Sequence, residues 1–276
     1  MMQTCKILFK KLGKKYYFSC VGMDIKDGDY VVVNTIRGLE VGRVSGEKFD
    51  FKGNTDELKE VVRKASKDDM RKYEKNKSEE PQIIEVAKKL AAKEKLDMKV
   101  LAAEYTLDRS KLIIYFQSEE RVDFRELVKD LADQYRTRID LRQVGARDGA
   151  KYFGGIGPCG LPMCCQTWLV ELNNVSVKMA KNQSLSLTPT KISGNCDKLL
   201  CCITYENDMY TELRRNAPDV GDIVMTENGK AKVMTSDVLN RNLKVKYLEN
   251  EGFGYLKMED VEFDIQSRKR RQDGSN

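Results

Sequence analysis

A chain of 276 residues with 19 glycines and 5 prolines can bury one large core or several small ones, and its composition is not that of a disordered chain. Lysine and arginine outnumber aspartate and glutamate by 49 to 43, a formal charge of +6 that is a mild bias and no nucleic-acid footprint by itself. Histidine is absent, which removes Ser-His-Asp and Cys-His nucleophile activation, HExxH zinc sites and the usual general base near neutral pH.

The first segment, MMQTCKILFKKLGKKYYF, alternates lysines with apolar residues instead of forming a signal-peptide core, and no stretch approaches about eighteen apolar residues. A cytoplasmic chain with no direct membrane insertion is expected. Eight cysteines in a reducing compartment then point to metal or redox chemistry before a disulfide framework.

Strand-like runs come first: Ile7 and Phe9, then Tyr16 and Phe18 about a turn at Gly13, then DYVVVNTIRGLEVGRVSG with a break at Gly38. Residues 1–62 are read as a small β-rich domain of twisted sheet. After the strand-like ELKEVVRKA, the stretch from Ser66 to Lys95 is charged and helix-favouring, with Ile83, Val86, Ala87, Leu90 and Ala91 at helical spacing. Pro81 is expected to kink or split that helix, at roughly 3 kcal/mol in an unbroken interior. KVLAAEYTL and KLIIYFQS read as strands joined by a turn at Asp108 to Ser110. Asp123 and Glu126 have the spacing of a capping box opening the amphipathic FRELVKDLADQY, whose Leu127, Leu131 and Tyr135 share a face. RIDLRQVGARD closes the unit as a strand, so residues 63–150 predict a central αββαβ layer and the fold class is α+β.

Residues 151–215 form a cysteine-rich segment with three of the five prolines and few long apolar runs, so something other than burial is expected to hold it together. Over 216–265 short strands return, with Asn228-Gly229 as a type I′ hairpin signal and Leu243, Val245 and Tyr247 alternating with lysines. A small SH3-like β-barrel fits that length, followed by a polar tail at 266–276.

The chemistry concentrates in two copies of one pattern. GPCGLPMCC at 157–165 and GNCDKLLCC at 194–202 both read Gly-x-Cys-x4-Cys-Cys, offset by 37 residues. They gather Cys159, Cys164, Cys165, Cys196, Cys201 and Cys202. Thiolates are the soft donors that zinc or iron–sulfur clusters require, and no histidine can substitute. The bland alternative is that free cysteine is a small buried hydrophobe, which the repeat argues against. A four-cysteine zinc site would be closed and structural but would leave the second thiol of each Cys-Cys pair unexplained. Clusters usually take four cysteines each, so six give one complete cluster with two thiols over, or two clusters that need ligands from a partner chain.

The string from Gly155 to Gly160 also spells a dinucleotide fingerprint, but no apolar strand precedes it and Pro158 and Cys159 fill its interior, so it is rejected. Cys5 and Cys20 lie in strand-like segments and are read as core thiols. Basic groups recur at Lys10, Lys11, Lys14 and Lys15, at Arg136, Arg138 and Arg142, and from Arg268 to Arg271. Most such runs are solvated faces, with RNA contact as the alternative reading.

TIRGLEVGRV, AEYTLDRSKLIIYFQSEERVDFRELVKDLADQYRTRIDLRQVGARD, GGIGPCGLPMCC and KMAKNQSLSLTPTKISGNCDKLLCC followed by YEND resemble the bacterial YaaT (RicT) family, which carries the PSP C-terminal domain. The resemblance runs almost end to end, weakest in the lysine-rich helix near Pro81 and after Phe263. It implies a cell-fate regulator and not an enzyme, in complex with two small helical partners, YlbF and YmcA. It implies [4Fe-4S] clusters to which the six cysteines contribute, and action as a specificity factor for RNase Y in mRNA processing. Influence on sporulation, competence and biofilm formation follows from the same likeness. Two other readings compete: a structural Zn module in a nucleic-acid-binding protein, and a thiol redox enzyme or sensor, which lacks a Cys-x-x-Cys motif and would strain a vicinal disulfide.

Overall fold

The computed structural model describes residues 2–9, 14–51, 58–169, 171, 173–249 and 252–263. The turn expected at Gly13, Lys10, Lys11 and the polar tail lie outside them. The chain divides into two compact units, one of residues 1–172 with 194–198, the other of residues 173–193 with 199–276, so the cysteine-rich stretch is shared between them. The class is α+β, with three separate sheets among the described residues.

The first unit begins with β1 (Met2–Leu8), β2 (Tyr16–Ser19), β3 (Tyr30–Asn34), β4 (Leu39–Val44), β5 (Phe49–Phe51) and β6 (Val61–Lys64). They form an antiparallel sheet ordered β2-β1-β4-β3-β6, with β5 also on β1. The run Val31-Val32-Val33 is continuous because both faces of β3 are covered. Val31 and Val33 pack with Cys5, Ile7, Phe18 and Val44, while Val32 packs with Val41 and Leu107 on the other side. Gly42 of β4 lets Ile7 through, since a Cβ there would fall on Ile7 Cγ2. Gly42→Ala is therefore expected to cost about 1–3 kcal/mol by overpacking, measured as a lower urea midpoint at unchanged slope.

Next come α1 (Lys67–Lys93), β7 (Lys99–Tyr105), β8 (Lys111–Gln117), α2 (Arg125–Tyr135) and β9 (Arg138–Gln143), in the expected αββαβ order. The sheet runs β7-β8-β9, antiparallel then parallel. The stripe read from periodicity is the packed one: Ile83, Ala87 and Ala91 of α1 and Leu127 and Leu131 of α2 share a core with Leu112 and Ile114, while Val86, Leu90 and Tyr135 lie at its edge.

Two local readings are corrected. Pro81 does not split α1, which is continuous through it. Pro81 lies on the exposed side of that helix, so the carbonyl its ring leaves without a helical partner is next to water. Asp123 does not cap α2 through a box with Glu126, because its carboxylate is taken by Arg125, at 2.6 Å from Nη2 and 3.2 Å from the backbone N–H.

The capping box instead opens α1. Asp69 N donates to Ser66 Oγ at 3.1 Å and Ser66 N donates to Asp69 Oδ2 at 2.8 Å. Arg63 pairs with the same buried carboxylate, and this bond, with those from Ser66, holds Asp69 well below the usual carboxylate range. A lowered folded pKa gives stability that is present above the unfolded value of about 3.9 and lost as pH falls below it. Asp69→Asn is expected to cost about 1 kcal/mol at pH 7 and progressively less toward about pH 2, in urea melts of both chains across that range.

The second unit holds α5 (Val177–Asn182), α6 (Pro189–Ile192) and α7 (Cys201–Arg215), preceded in the first unit by α3 (Ala146–Phe153) and α4 (Cys164–Thr167). Burial is thin here, as expected: Ala180, Ile192 and Ile203 make the local core. The chain ends in β10 (Ile223–Thr226), β11 (Gly229–Asp237), β12 (Asn242–Tyr247) and β13 (Phe253–Lys257), a four-stranded meander over Val224, Val233, Leu243 and Val245. The sheet curls so that Met225 on its first strand exchanges backbone hydrogen bonds of 2.9 and 3.0 Å with Glu262. Its first hairpin turns at Glu227 and Asn228, but only Gly229, at φ +96°, is left-handed. A type I′ turn needs both central residues left-handed, so the expected turn type is corrected.

Candidate functional site

The two Gly-x-Cys-x4-Cys-Cys copies fold into the same loop. In the first, Ile156 bridges Pro162, Gly157 N donates to Leu161 O at 2.8 Å, Gly160 N to Gly157 O at 2.9 Å, and Met163 N to Gly155 O at 3.1 Å. In the second, 37 positions on, Ser193 bridges Leu199, Gly194 N donates to Lys198 O at 2.8 Å, Asp197 N to Gly194 O at 3.0 Å, and Leu200 N to Ile192 O at 2.9 Å.

Each loop has a left-handed residue at the same place, Gly160 at φ +80° and Asp197 at +57°. Each then enters a helix through a matching residue, Met163 at φ −55°, ψ 128° and Leu200 at −55°, 134°. The Cys-Cys pair begins the helix in both copies, α4 in one and α7 in the other. The repeat in sequence is therefore a repeat in backbone geometry.

α3 carries the chain into the first loop. It lies against β7 and β8, with Tyr152 stacked on Tyr115 at 5.9 Å between ring centroids. Gly154 ends it at φ +71°, where a Cβ would meet the Gln166 amide. The tip of the second loop, residues 194–198, belongs to the same compact unit, and Asn195 Nδ2 donates to Ile156 O at 2.9 Å.

This placement brings Cys159, Cys164, Cys165 and Cys196 into one unit. Cys159 is exposed and the other three are half-buried, so these thiols are neither locked in a core nor fully solvated. Burial pushes the Cys165 thiol up, the Lys151 ammonium opposes that, and Cys196 adds to it. Cys201 and Cys202, also half-buried, open α7 in the second unit. Thiolates at the first turn of a fifteen-residue helix lie where its dipole favours negative charge.

The donor set fits a sulfur-ligated centre: soft ligands on matching glycine-opened turns, accessible, with backbone N–H groups nearby. The side chains are not closed round an ion, since no three Cys, Asp or Glu converge on a metal position among the described residues.

Cys5 and Cys20 behave as the sequence suggests. Both are fully buried in the first sheet's core, donating to Phe18 O at 3.7 Å and Gln3 O at 3.6 Å, and burial with Cys20 alongside pushes the Cys5 thiol up to about 12. Three of the basic groups singled out in the sequence have local roles. Lys14 pairs with Glu171 at 2.7 Å, Arg142 with Asp140 at 2.9 Å, and Arg136 is the left-handed residue ending α2. Sequence reading missed Lys151 and Arg147 of α3, whose charges act on the Cys165 thiol, and Asn195, which ties the second loop to Ile156 of the first. The spacing of Ala146, Gly149, Ala150 and Phe153 at i, i+3, i+4 and i+7 in ARDGAKYF was the available signal for α3.

A model of the PSP1 C-terminal conserved region matches residues 59–144, from β6 through β9, and a model of the third domain of PSP1-like proteins matches 174–217, from α5 through α7. Stage 0 sporulation protein YaaT of Bacillus subtilis is 46% identical over 253 residues, covering 91% of this chain and 92% of that protein. The chain belongs to the YaaT family.

Fungal proteins share parts of the YaaT-family chain. An uncharacterized protein of Schizosaccharomyces pombe is 29% identical over 148 residues, 43% of this chain and 20% of its own length. Protein PSP1 of Saccharomyces cerevisiae is 52% identical over 48 residues, 17% of this chain and 6% of its own length. No solved structure matches. In family terms the first cysteine loop lies between the two matched regions and the second lies inside the latter.

Proposed function

We propose that this chain is a cytoplasmic, non-catalytic regulatory subunit of sporulation-type cell-fate control that holds a [4Fe-4S] cluster on its paired loops. The observation that supports this most is the bond-for-bond repetition of the two loops, each delivering a cysteine at its tip and a Cys-Cys pair at a helix start. Cys159, Cys164, Cys165 and Cys196 would hold one cluster, with side-chain rotation closing it. Cys201 and Cys202 would contribute to a second whose remaining donors come from a partner. A cluster supplies a redox- and oxygen-sensitive link; the chain's own part is to present thiolates and to order the loops through Asn195, Gly155 and Gly157.

The partners in this reading are YlbF-like and YmcA-like small helical proteins, and the assembly would steer RNase Y in mRNA processing, with effects on sporulation, competence and biofilm formation. We read the curled C-terminal sheet as a small SH3-like barrel suited to docking. No described helix is long and apolar enough to cross a membrane.

The test is anaerobic purification of the chain, alone and with the two partners, followed by a visible spectrum and iron, sulfide and zinc analysis of one sample. Brown protein with matching iron and sulfide, strongest in the complex, is the expected result. Colourless protein with about one zinc per chain would replace the cluster by a structural four-cysteine zinc site in a nucleic-acid-binding protein.

A further inference from the structure

The outward face of the curled sheet in the second unit has a composition that the cysteine loops do not explain. On β13, Phe253 and Tyr255 are 60% and 77% exposed. Lys244 of the neighbouring strand reaches over both, its Nζ 5.3 and 5.5 Å from the two ring centroids. Strand register places Lys232, Lys246 and Phe253 in one row across this face and Lys244 and Tyr255 in the next. Lys230, paired with Met225, and Lys257, paired with Asn242, stand at its margins.

Two acids share the face at opposite ends. Asp237 stands opposite Asn242 and accepts from Asn240 at 2.8 Å, and Glu262 bridges Met225. Exposed rings that only covered a core would be buried beneath a neighbour, and a merely solubilising face would not expose two aromatics side by side.

We propose that this face is a platform for single-stranded nucleic acid. Flat rings in water offer stacking surfaces that any base can use, and lysines between and around them meet the phosphates. Residues two apart on a strand are separated by roughly 6.7 Å, twice the roughly 3.4 Å rise of stacked bases, so neighbouring bases must unstack to occupy both rings. A duplex cannot do that, and the face therefore selects unpaired strands. Acidic peptides would satisfy the lysines but leave the rings unused. The inference rests on the sheet alone and stands apart from the cluster.

The test is fluorescence anisotropy of the full chain with labelled oligouridine, oligothymidine, a duplex of equal length and a poly-glutamate peptide, over a salt series. Both single strands are expected to bind, with a log–log salt slope no steeper than about −3.5, the limit for five lysines. Phe253→Ala with Tyr255→Ala should weaken binding at least tenfold at unchanged slope, while Tyr255→Phe retains it. Lys232→Ala with Lys244→Ala should flatten the slope by about 1.4. Because both rings are already solvated, melting temperatures should not move. The proposal is overturned if no strand binds at low salt, if the aromatic double variant binds like the parent, or if duplex or poly-glutamate binds as tightly. Cys196→Ser should leave this binding intact, so its failure and that of the cluster reading are told apart.

Discussion

Replacing Cys196 with serine is expected to lower the metal content of the anaerobically purified chain at least fivefold without unfolding it. Cys196 sits at the tip of the second loop, half-buried, in the same compact unit as the first loop's three thiols and close enough to Cys165 to oppose its ionisation. Serine keeps the size and the loop but offers a hard, protonated oxygen where a soft thiolate is needed. Its turn is held by backbone bonds from Gly194 and Asp197, which the substitution does not touch. Cys165→Ser should behave alike, and Cys5→Ala should not, since that thiol lies in a sheet core. Iron and zinc analysis beside circular dichroism reads the difference. Full metal in Cys196→Ser would remove it from the ligand set, and equal loss in Cys5→Ala would show that the metal follows global stability instead.

Leu131→Ala should cost about 2–5 kcal/mol, the largest stability loss expected from a change away from the cysteines. Leu131 is fully buried, and it joins α2 to the core shared by α1, β7 and β8. Truncation leaves a cavity in the cluster that Leu131 shares with residues of α1, α2, β7 and β8, whose side chains rigid helices and a three-stranded sheet keep from collapsing inward. At about 2–4 °C per kcal/mol for a cooperative unit of this size, the melting temperature should fall by roughly 4–20 °C. A shift below about 2 °C in thermal melts would mean that α2 is not integral to that core. The same variant tests independence: its metal content should match the parent's at temperatures where both are folded.

Most of the α/β layer was readable because its signals are local. Ile83, Ala87 and Ala91 recur at helical spacing, KLIIYFQS is a continuous apolar run, and Leu127 and Leu131 mark one helical face, so the residues that name the element are the ones that pack. Where reading failed, local signals competed. Pro81 carries a helix-breaking cost that the buried stripe on either side outweighs once the ring points to solvent. Asp123 has capping-box spacing from Glu126, yet its carboxylate finds Arg125 nearer, while the true box at Ser66 and Asp69 gains the extra tie of Arg63. Asn228-Gly229 marks a hairpin correctly but not its geometry, since the left-handed φ falls on Gly229 alone.

The sequence by itself determined the α+β class, the order of elements through the central layer, the core role of Cys5 and Cys20, and the existence of a duplicated cysteine motif. All of these are carried by composition, periodicity and spacing within short windows. Only the tertiary structure decided that the two motifs are one backbone turn used twice, because that identity lies in hydrogen bonds between residues whose types differ, Gly160 in one copy and Asp197 in the other. It also decided that Cys196 joins the first loop's cysteines in one unit, and that Lys244 meets Phe253 and Tyr255 across a strand pair. Such neighbours are set by chain return and strand register, which minimise exposed apolar area over the whole fold and leave no mark at any single position.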